Sequence, residues 1–472
     1  MKKSLLIISL LFLTFYVTAS KVDEATSIAV VNSKIEYLKK SKEFSLLKIN
    51  SVIENGNLLC YIAELSPCGF MIVSGDSNLP PVLAYSFSNN TDNDERFMEI
   101  LRADISNRIS GVRFLSKEKI EKIKQEWSRL IENKSKNGPK FQQWPADGTT
   151  TTGGWLESNW TQSAPYNKYC PLDPVTGTRS YVGCPATAMA MILNFHKTIN
   201  GTFFTDADDY YHSYAGRNYW IDDDFDSIGF PSFPLLNEML DTLSSHYENN
   251  VLLTNDDKAA LSFACGVAAS QVYTSSGSGT FGVNQAYDAY LKFDCTTIEI
   301  LYSGDTSLYS KLAQNIKDTL PAHLALVDEA WSTGHNVVVD GYNTDNYFHV
   351  NFGWGGSNNG WYLLPEEMPY SLTVIEGLIL DIMKPDETIK VAEIEENRIR
   401  IFPNPSLDFI KVEGLEENCE LTITNVSGKI VSVFQVLESC SEISISELPS
   451  GIYFVRILGK ENFCGKLVVL GK

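Results

Sequence analysis

A cysteine at the start of a predicted helix is the residue in this sequence best suited to nucleophilic chemistry. Cys184 follows Gly183, Pro185 suits the first turn of a helix, and apolar residues recur at helical spacing from Ala186 to Leu193. The positive end of the helix dipole would favour the thiolate, which is the form of cysteine that attacks a carbonyl carbon. A buried cysteine that acts only as a small apolar residue is the alternative, and this segment alone does not decide between the two.

A nucleophilic cysteine needs a general base, and His335 is the best candidate among the six histidines. Gly334 precedes it, and a run of valines follows as far as Asp340-Gly341. This pattern predicts a strand with the imidazole at its edge, facing a cleft. His335 is far from Cys184 along the chain, as is common for a nucleophile and a base that only the fold brings together.

Two amide side chains complete the set that thiol acyl transfer requires. Asn351 is placed to accept the second ring N–H of His335 and to hold the useful tautomer. Gln162 lies upstream of Cys184, where its amide and the Cys184 backbone N–H would form an oxyanion hole. A lone glutamine is more often a surface residue, but Gln, Cys, His and Asn in this chain order are what a papain-like thiol protease requires. His349, close to Asn351, is interpreted as structural.

The elements that position these residues lie in three blocks. Before the central block, a helical pattern over 24–40, three strand-like runs and an amphipathic helical region over 95–133 with a break near Gly111 predict a small α+β unit. The central block, 153–385, has helical patterns early and strand patterns late. After residue 399, short strand-like runs separated by turn signals predict a small all-β sandwich.

Composition argues against several other classes of function. The 472 residues include 38 Lys and Arg against 58 Asp and Glu, and a formal net charge of −20 repels phosphate backbones, so no nucleic-acid partner is predicted. The nine cysteines and six histidines form no C-x-x-C or H-E-x-x-H motif, so neither a metal nor another cofactor is predicted. Candidate local disulfides are Cys60 with Cys68, or two of Cys419, Cys440 and Cys464.

The first twenty residues have the pattern of a secretory signal peptide. Lys2 and Lys3 precede an apolar run over 5–17, and Val17-Thr18-Ala19 supplies the small residues of a cleavage site. The apolar run is shorter than the roughly 20 residues that a spanning helix needs. We therefore expect a protein that is secreted or held at the cell surface, without a membrane-spanning segment.

The catalytic candidates and the residues around them resemble the streptopain family of cysteine peptidases. The resemblance implies an α+β, papain-like peptidase fold that needs no cofactor. It implies that Cys184 is the nucleophile, His335 the general base and acid, Asn351 the orienting residue and Gln162 the oxyanion donor. The segments that carry it are Gln162 with Pro165-Tyr166-Asn167, and residues 182–190, 334–335, 339–341 and 348–356.

The same resemblance bears on the substrate cleft. Ser275-Ser-Gly-Ser278 resembles the Ser/Gly substrate loop of the family, which implies that Ser278 and Gly334 contact the substrate. The chain departs from the family's reference enzyme at Phe352, where that enzyme has Trp, and at Asn336, where it has Ala. We therefore expect the cover over the imidazole and the shape of the subsites to differ.

The flanking blocks also resemble known modules. Residues 69–76 and 79–85 resemble the family's propeptide, which docks on the catalytic domain and holds it inactive until cleavage. Segments of the C-terminal block resemble the sorting domain of the type IX secretion system, although an ordinary β-sandwich binding module is the alternative. The predicted organisation is signal peptide 1–20, inhibitory propeptide 21–145, cysteine peptidase domain 146–385, linker 386–398 and secretion sorting domain 399–472.

The sequence thus predicts a secreted cysteine endopeptidase that is made as a zymogen. Its expected partners are protein or peptide substrates, its own propeptide as an intramolecular inhibitor, and the secretion machinery. The alternatives are a thiol amidase or acyl-transfer enzyme with the same triad, and a non-catalytic surface adhesin or inhibitor with the same fold. The exposed basic segment 134–140 is the expected site of activation cleavage.

Overall fold

The computed structural model describes most of the chain in two compact units, one within residues 1–385 and one within residues 386–472. The predicted signal peptide, the segment 134–140 and the predicted linker lie outside the described residues. In the described part of the chain, no helix has the length and apolar character needed to cross a bilayer. The described residues are 21–92, 94–132, 141–302, 304–327, 334–364, 375–383, 399–413, 419–426, 428–436, 441–458 and 463–471.

The first unit begins with the predicted small α+β part. Its first helix is capped by Asp23, whose carboxylate accepts the Thr26 backbone N–H at 2.7 Å. The break near Gly111 is confirmed, since one helix ends there and the next begins at Lys117. The elements are α1 (Glu24–Tyr37), β1 (Ser45–Glu54), β2 (Asn57–Ser66), β3 (Phe70–Ser74), β4 (Val82–Ser86), α2 (Glu95–Gly111) and α3 (Lys117–Ile131).

The rest of the first unit has its helices mainly in the early half and most of its strands in the late half, as the patterns predicted. Its elements are β5 (Gln143–Trp144), α4 (Cys184–His196), β6 (Tyr210–Tyr214), β7 (Arg217–Ile221), α5 (Phe225–Ile228), α6 (Phe233–Glu248), α7 (Asn255–Ala268), α8 (Val283–Lys292), β8 (Glu299–Tyr302), α9 (Leu308–Lys317), β9 (Ala322–Val327), β10 (Gly334–Asn343), β11 (Phe348–Asn351), β12 (Gly360–Tyr362) and β13 (Ile375–Leu380).

One antiparallel sheet runs through both parts of the first unit. Its strand order over the described residues is β1-β2-β3-β4-β12-β11-β10-β9-β13-β8, with β5 paired to β10. The two parts join where β4 pairs with β12, through Tyr85 opposite Trp361 and Ala84 opposite Tyr362. Helix α4 is fully buried from Pro185 to Leu193 and packs on β10, so the apolar core fixes the position of the end that carries Cys184.

The second unit is the predicted β-sandwich. A three-stranded and a four-stranded sheet enclose a core that includes Ile410, Leu421 and Val455. The sequence patterns missed its last strand, in which Gly465 interrupts the apolar alternation. The strands are β14 (Arg400–Phe402), β15 (Phe409–Glu413), β16 (Cys419–Asn425), β17 (Ile430–Val436), β18 (Ser441–Ser444), β19 (Gly451–Leu458) and β20 (Phe463–Val469).

The candidate disulfide between Cys60 and Cys68 is wrong. Both are free thiols: Cys60 is buried within β2, and the Cys68 thiol donates to the Phe87 carbonyl at 3.4 Å. Cys440 and the side chain of Cys464 lie outside the described part of the chain, so a disulfide among Cys419, Cys440 and Cys464 stays a prediction. Burial of Cys60 in a well-packed strand explains its presence without a covalent partner.

Candidate active site

Cys184 is the first residue of α4, as the sequence predicted, and it directly follows a turn at Gly183. Gly183 has φ +89°, and a Cβ at this position would lie 2.9 Å from Gln271 Oε1 and 3.0 Å from the Ser278 backbone. Only glycine fits such a turn without displacing its neighbours. Gln271 stabilises the turn: its side chain is fully buried, and its Nε2 donates to the Val182 carbonyl at 2.6 Å. The sequence analysis missed Gln271 because its partner is remote along the chain.

Gln162 lies beside the same turn. Its backbone carbonyl accepts the Val182 N–H at 2.9 Å, which ties the segment that carries Gln162 to the residue two before the cysteine. The structure therefore brings the predicted oxyanion donor to the start of α4, where the Cys184 backbone N–H also lies. Its oxyanion role stays a prediction.

His335 is buried at the start of β10 between aromatic rings. Its ring stacks on Trp354 at a centroid distance of 4.5 Å and on Phe352 at 6.1 Å. Its Nε2 lies 2.9 Å from the Phe352 carbonyl oxygen. Because a carbonyl oxygen only accepts, Nε2 carries the hydrogen. The ring is therefore held in one tautomer by a main-chain carbonyl.

Asn351 is close to His335 but bonds elsewhere. Its Nδ2 donates to the Ser158 carbonyl at 3.0 Å, and its Oδ1 accepts the Gly353 N–H at 3.0 Å. The sequence analysis assigned the second ring N–H of His335 to Asn351, and in this structure the Phe352 carbonyl takes it instead. Asn351 here fixes the turn that leads to Trp354.

The Asn336 side chain contacts the candidate nucleophile. Its Nδ2 lies 3.9 Å from Cys184 Sγ. Side chains alternate along a strand, so Asn336 shares a face with Val338, which belongs to the core around α4, while His335 shares the other face with Val337. The Cys184 sulfur therefore meets Asn336, and the His335 ring is turned toward Phe352.

The N-terminal part of the unit covers this site. The guanidinium of Arg96, near the start of α2, lies 5.4 Å from the Trp354 ring centroid, and Phe97 meets Phe352 edge-on at 5.7 Å. Trp354 and Phe352 are the two rings that stack on His335. Helix α2 therefore supports the rings that hold the imidazole in place.

Burial sets the charge state of the site, and two charged residues of the N-terminal part modify it. Burial lowers the pKa of His335 to about 4, with Arg96 acting in the same direction and Asp94 opposing it. Desolvation raises the pKa of the Cys184 thiol, although hydrogen bonds from Asn336 and the charge of Arg96 favour the thiolate. The thiolate expected at the helix terminus is not favoured in this closed form, because desolvation outweighs the hydrogen bonds and the charge of Arg96. At neutral pH the closed site holds a thiol and a neutral imidazole.

The predicted substrate loop lies against the nucleophile turn. Residues 272–279 form a closed loop, in which Ser278 Oγ accepts the Thr274 N–H at 3.1 Å. Gly334 opens β10 beside His335 and is exposed. Asp173, which the sequence analysis missed, anchors the loop: its buried carboxylate accepts the Ser275 N–H and hydroxyl at 2.9 and 2.8 Å.

Asp340 and His349 form a buried pair that braces the segment leading to Gln162. His349 Nδ1 lies 2.6 Å from Asp340 Oδ1, and Asp340 Oδ2 accepts the Leu156 N–H at 2.9 Å. Both side chains are buried. The interpretation of His349 as structural agrees with these contacts. The sequence analysis placed Asp340 only at the end of the predicted strand, whereas it lies within β10. Over the described residues, no group of His, Cys, Asp and Glu side chains is arranged to hold a metal ion.

Comparisons with known proteins give a match for each block of the chain. Residues 160–362 match the Peptidase C10 family, residues 19–106 the Spi protease inhibitor, and residues 400–470 the secretion system C-terminal sorting domain. Streptopain of Streptococcus pyogenes serotype M1 is 25% identical over 353 residues, which cover 71% of this chain and 81% of streptopain. The thiol protease/hemagglutinin PrtT of Porphyromonas gingivalis is 26% identical over 381 residues, which cover 77% of this chain and 40% of PrtT.

Among solved structures, a prointerpain A fragment from Prevotella intermedia is 21% identical, with a TM-score of 0.48, and covers 71% of this chain and 98% of that one. Active interpain A of the same organism is 22% identical, with a TM-score of 0.35 and coverage of 48% and 94%. The matched segments are those in which the sequence showed a propeptide, a thiol peptidase and a sorting domain. The chain therefore carries a segment that matches the Peptidase C10 family, preceded by a Spi-type propeptide and followed by a type IX sorting domain, and it is a cysteine protease that is made as a zymogen and is secreted or held at the cell surface.

Proposed function

We propose that the protein is an endopeptidase that hydrolyses peptide bonds within protein chains, with Cys184 as its nucleophile. The observation that carries this proposal is the segment of its own chain that lies across the site. Arg96 and Phe97 pack on the aromatic rings beside His335, while the Asn358 amide bonds to Asp92 at 2.8 Å. A cleft that takes a polypeptide segment of this kind suits a polypeptide substrate.

The proposed reaction begins once the propeptide has left and His335 has turned from the Phe352 carbonyl toward the sulfur. His335 takes the proton of the Cys184 thiol, and the resulting thiolate attacks the scissile carbonyl carbon. The Gln162 amide and the Cys184 N–H stabilise the oxyanion. His335 protonates the leaving amine, and the acyl group stays on sulfur as a thioester. Water then attacks the thioester, with His335 taking its proton, and releases the acid and the thiol. In this open form Asn351 is expected to orient the imidazole.

Ser278 and Gly334 are proposed substrate contacts on the two sides of the cleft. The Ser278 backbone borders the Gly183 turn, and Gly334 adjoins His335 in β10. Both therefore lie next to catalytic candidates while belonging to different elements. Asp173 is proposed to keep the Ser278 loop in its binding conformation through Ser275.

We keep the predicted order of domains and propose one change to the propeptide boundary. Gln143 and Trp144 form β5, which pairs with Asn343 and Tyr342 of β10. A strand that pairs with the catalytic sheet favours cleavage before residue 141 over cleavage at residue 145. The basic segment 134–140 fits this position, and the predicted junction at residues 386–398 is unchanged.

The test is mass spectrometry of residues 21–472, wild type beside Cys184→Ala, incubated with reductant and casein. We expect only the wild type to lose about 120 N-terminal residues and to release peptides from within casein, in line with an exposed connector before the catalytic domain. Incorporation of an added amine in place of hydrolysis would indicate an acyl transferase. If both proteins stay intact after a foreign protease has cut the connector, the endopeptidase proposal is refuted.

A further inference from the structure

A chain of hydrogen bonds, buried at its far end and partly buried at the sulfur, ends at Cys184 and does not involve His335. Asn336 Oδ1 lies 2.7 Å from His323 Nε2, and His323 Nδ1 lies 3.1 Å from the Tyr290 hydroxyl. His323 and Tyr290 are both fully buried. The chain runs from α8 through β9 and β10 to the start of α4, so four separate elements contribute to it.

The direction of every bond in this chain follows from the chemistry of the groups. An amide oxygen only accepts, so His323 Nε2 donates to Asn336 Oδ1. Burial lowers the pKa of His323 to about 4, so the ring is neutral and its Nδ1 accepts the Tyr290 hydroxyl hydrogen. With its oxygen fixed by His323, the Asn336 amide presents its N–H group to Cys184 Sγ at 3.9 Å.

We propose that Asn336 is a further catalytic residue, whose side-chain amide, oriented by His323 and Tyr290, donates a hydrogen bond to Cys184 Sγ and stabilises the thiolate. A donor aimed at an anion favours the charged form, and donors in series polarise one another. The contact exists while His335 is bonded to the Phe352 carbonyl. It therefore acts on the nucleophile in the zymogen and in the processed enzyme alike.

The backbone N–H groups of Asn336 and Cys184 also favour the thiolate, and the Asn336 side chain adds to them a donor that a substitution can remove. Arg96 of α2 is the cation that favours the thiolate in the closed form, and it belongs to the propeptide. Asp94 pairs with Arg96 at 2.9 Å and partly offsets it. Removal of the propeptide takes both charges away, whereas Asn336 and His323 belong to the catalytic sheet. The inference rests on the proposed role of Cys184 as the nucleophile.

The test is the pH dependence of Cys184 alkylation by iodoacetamide in the full-length zymogen and in the processed protein, followed by peptide mass spectrometry. Alkylation forms the S–C bond and releases iodide, and its rate follows the thiolate fraction. Asn336→Ala should raise the pH of half-maximal rate by about one unit, a tenfold loss of thiolate below that pH. Asn336→Asp, which has the same shape but puts an acceptor and a negative charge at the sulfur, should raise it further. His323→Phe should shift it in the same direction.

Asn315→Ala is the control, because Asn315 is a buried side-chain amide that bonds to the Leu320 carbonyl at 2.7 Å, away from Cys184. It should lower thermal stability and leave the alkylation midpoint unchanged. The inference is overturned if the Asn336 variants leave the pH midpoint of alkylation unchanged in both the zymogen and the processed protein. This holds even if the variants make processing faster. It is also overturned if Asn315→Ala shifts the midpoint equally. A wild-type Cys184 that is unreactive in both forms would refute the nucleophile assignment together with this inference.

Discussion

A buried ion pair between the propeptide and the catalytic domain should determine how firmly the zymogen stays closed. Lys34 of α1 is 1% exposed, and its Nζ lies 3.1 Å from Asp345 Oδ2, between β10 and β11. The ammonium also lies 4.8 to 5.4 Å from the ring centroids of Tyr37, Tyr85 and Tyr347. This is the environment in which a charge is costly to leave without its partner.

Asp345→Asn removes the counter-charge and leaves the ammonium buried. Loss of one partner from a buried pair costs roughly 3–5 kcal/mol. Asp345 is 17% exposed, which lets some water reach the ammonium, so we take the lower end of this range. About 3 kcal/mol corresponds to a factor of roughly 150 in the ratio of closed to open zymogen. Lys34→Met combined with Asp345→Asn should recover part of this loss, because the ammonium that lost its counter-charge is gone as well.

The assay is the lag before autoprocessing of the full zymogen under reducing conditions, together with the activity of the processed enzyme. Asp345→Asn should shorten the lag by up to two orders of magnitude, while the final activity matches the wild type. Asp147→Asn is the control, since the pair of Asp147 with Lys40 is 2.8 Å long but 60% and 21% exposed, and should contribute under about 1 kcal/mol. A lag for Asp345→Asn within twofold of that of Asp147→Asn would refute the reasoning.

Three further outcomes are expected. His335 has a pKa of about 4 in the closed form and should return toward 6.5 when water reaches it. Between pH 4 and 6.5 the open form binds more protons than the closed form, so the free energy that favours the closed form falls by up to about 3 kcal/mol as the pH falls. Hydrogen exchange of α2 in an inactive zymogen should therefore become faster at low pH, and exchange protection that does not change with pH would contradict this. Gly154→Ala puts a Cβ 2.2 Å from the Asp340 carboxylate and should cost roughly 1–3 kcal/mol in thermal unfolding, whereas an unchanged melting temperature would show that the site relaxes. Asp173→Asn weakens the anchor of Ser275 and should lower kcat/KM for peptides about tenfold, with alkylation of the nucleophile within twofold of wild type; equal loss in both assays would point to misfolding.

Local sequence patterns were enough to predict most of the elements. Helix α2 ends at the predicted break because Gly111 and the residues after it interrupt an amphipathic pattern, and α4 begins at Cys184 because Gly183 and Pro185 suit a turn into a helix. The chain order of glutamine, cysteine, histidine and asparagine pointed to thiol protease chemistry. These signals come from neighbouring residues or from residue types, so they can be recognised in the sequence without knowing what each segment packs against.

The tertiary structure decided the state of the site. Whether Cys184 is a thiol or a thiolate depends on its burial, which raises the pKa of the thiol, and on Arg96 of α2, far away in the chain, which acts in the opposite direction. Which group holds His335, and that Asn336 meets the sulfur, follow from strand alternation and from the burial of His323 behind it. Hydrogen bonds and desolvation between remote segments leave no periodic trace in the sequence. The sequence by itself determined which chemistry this protein carries, and only the packing of the propeptide against the catalytic domain decided that the chemistry is held in a latent form.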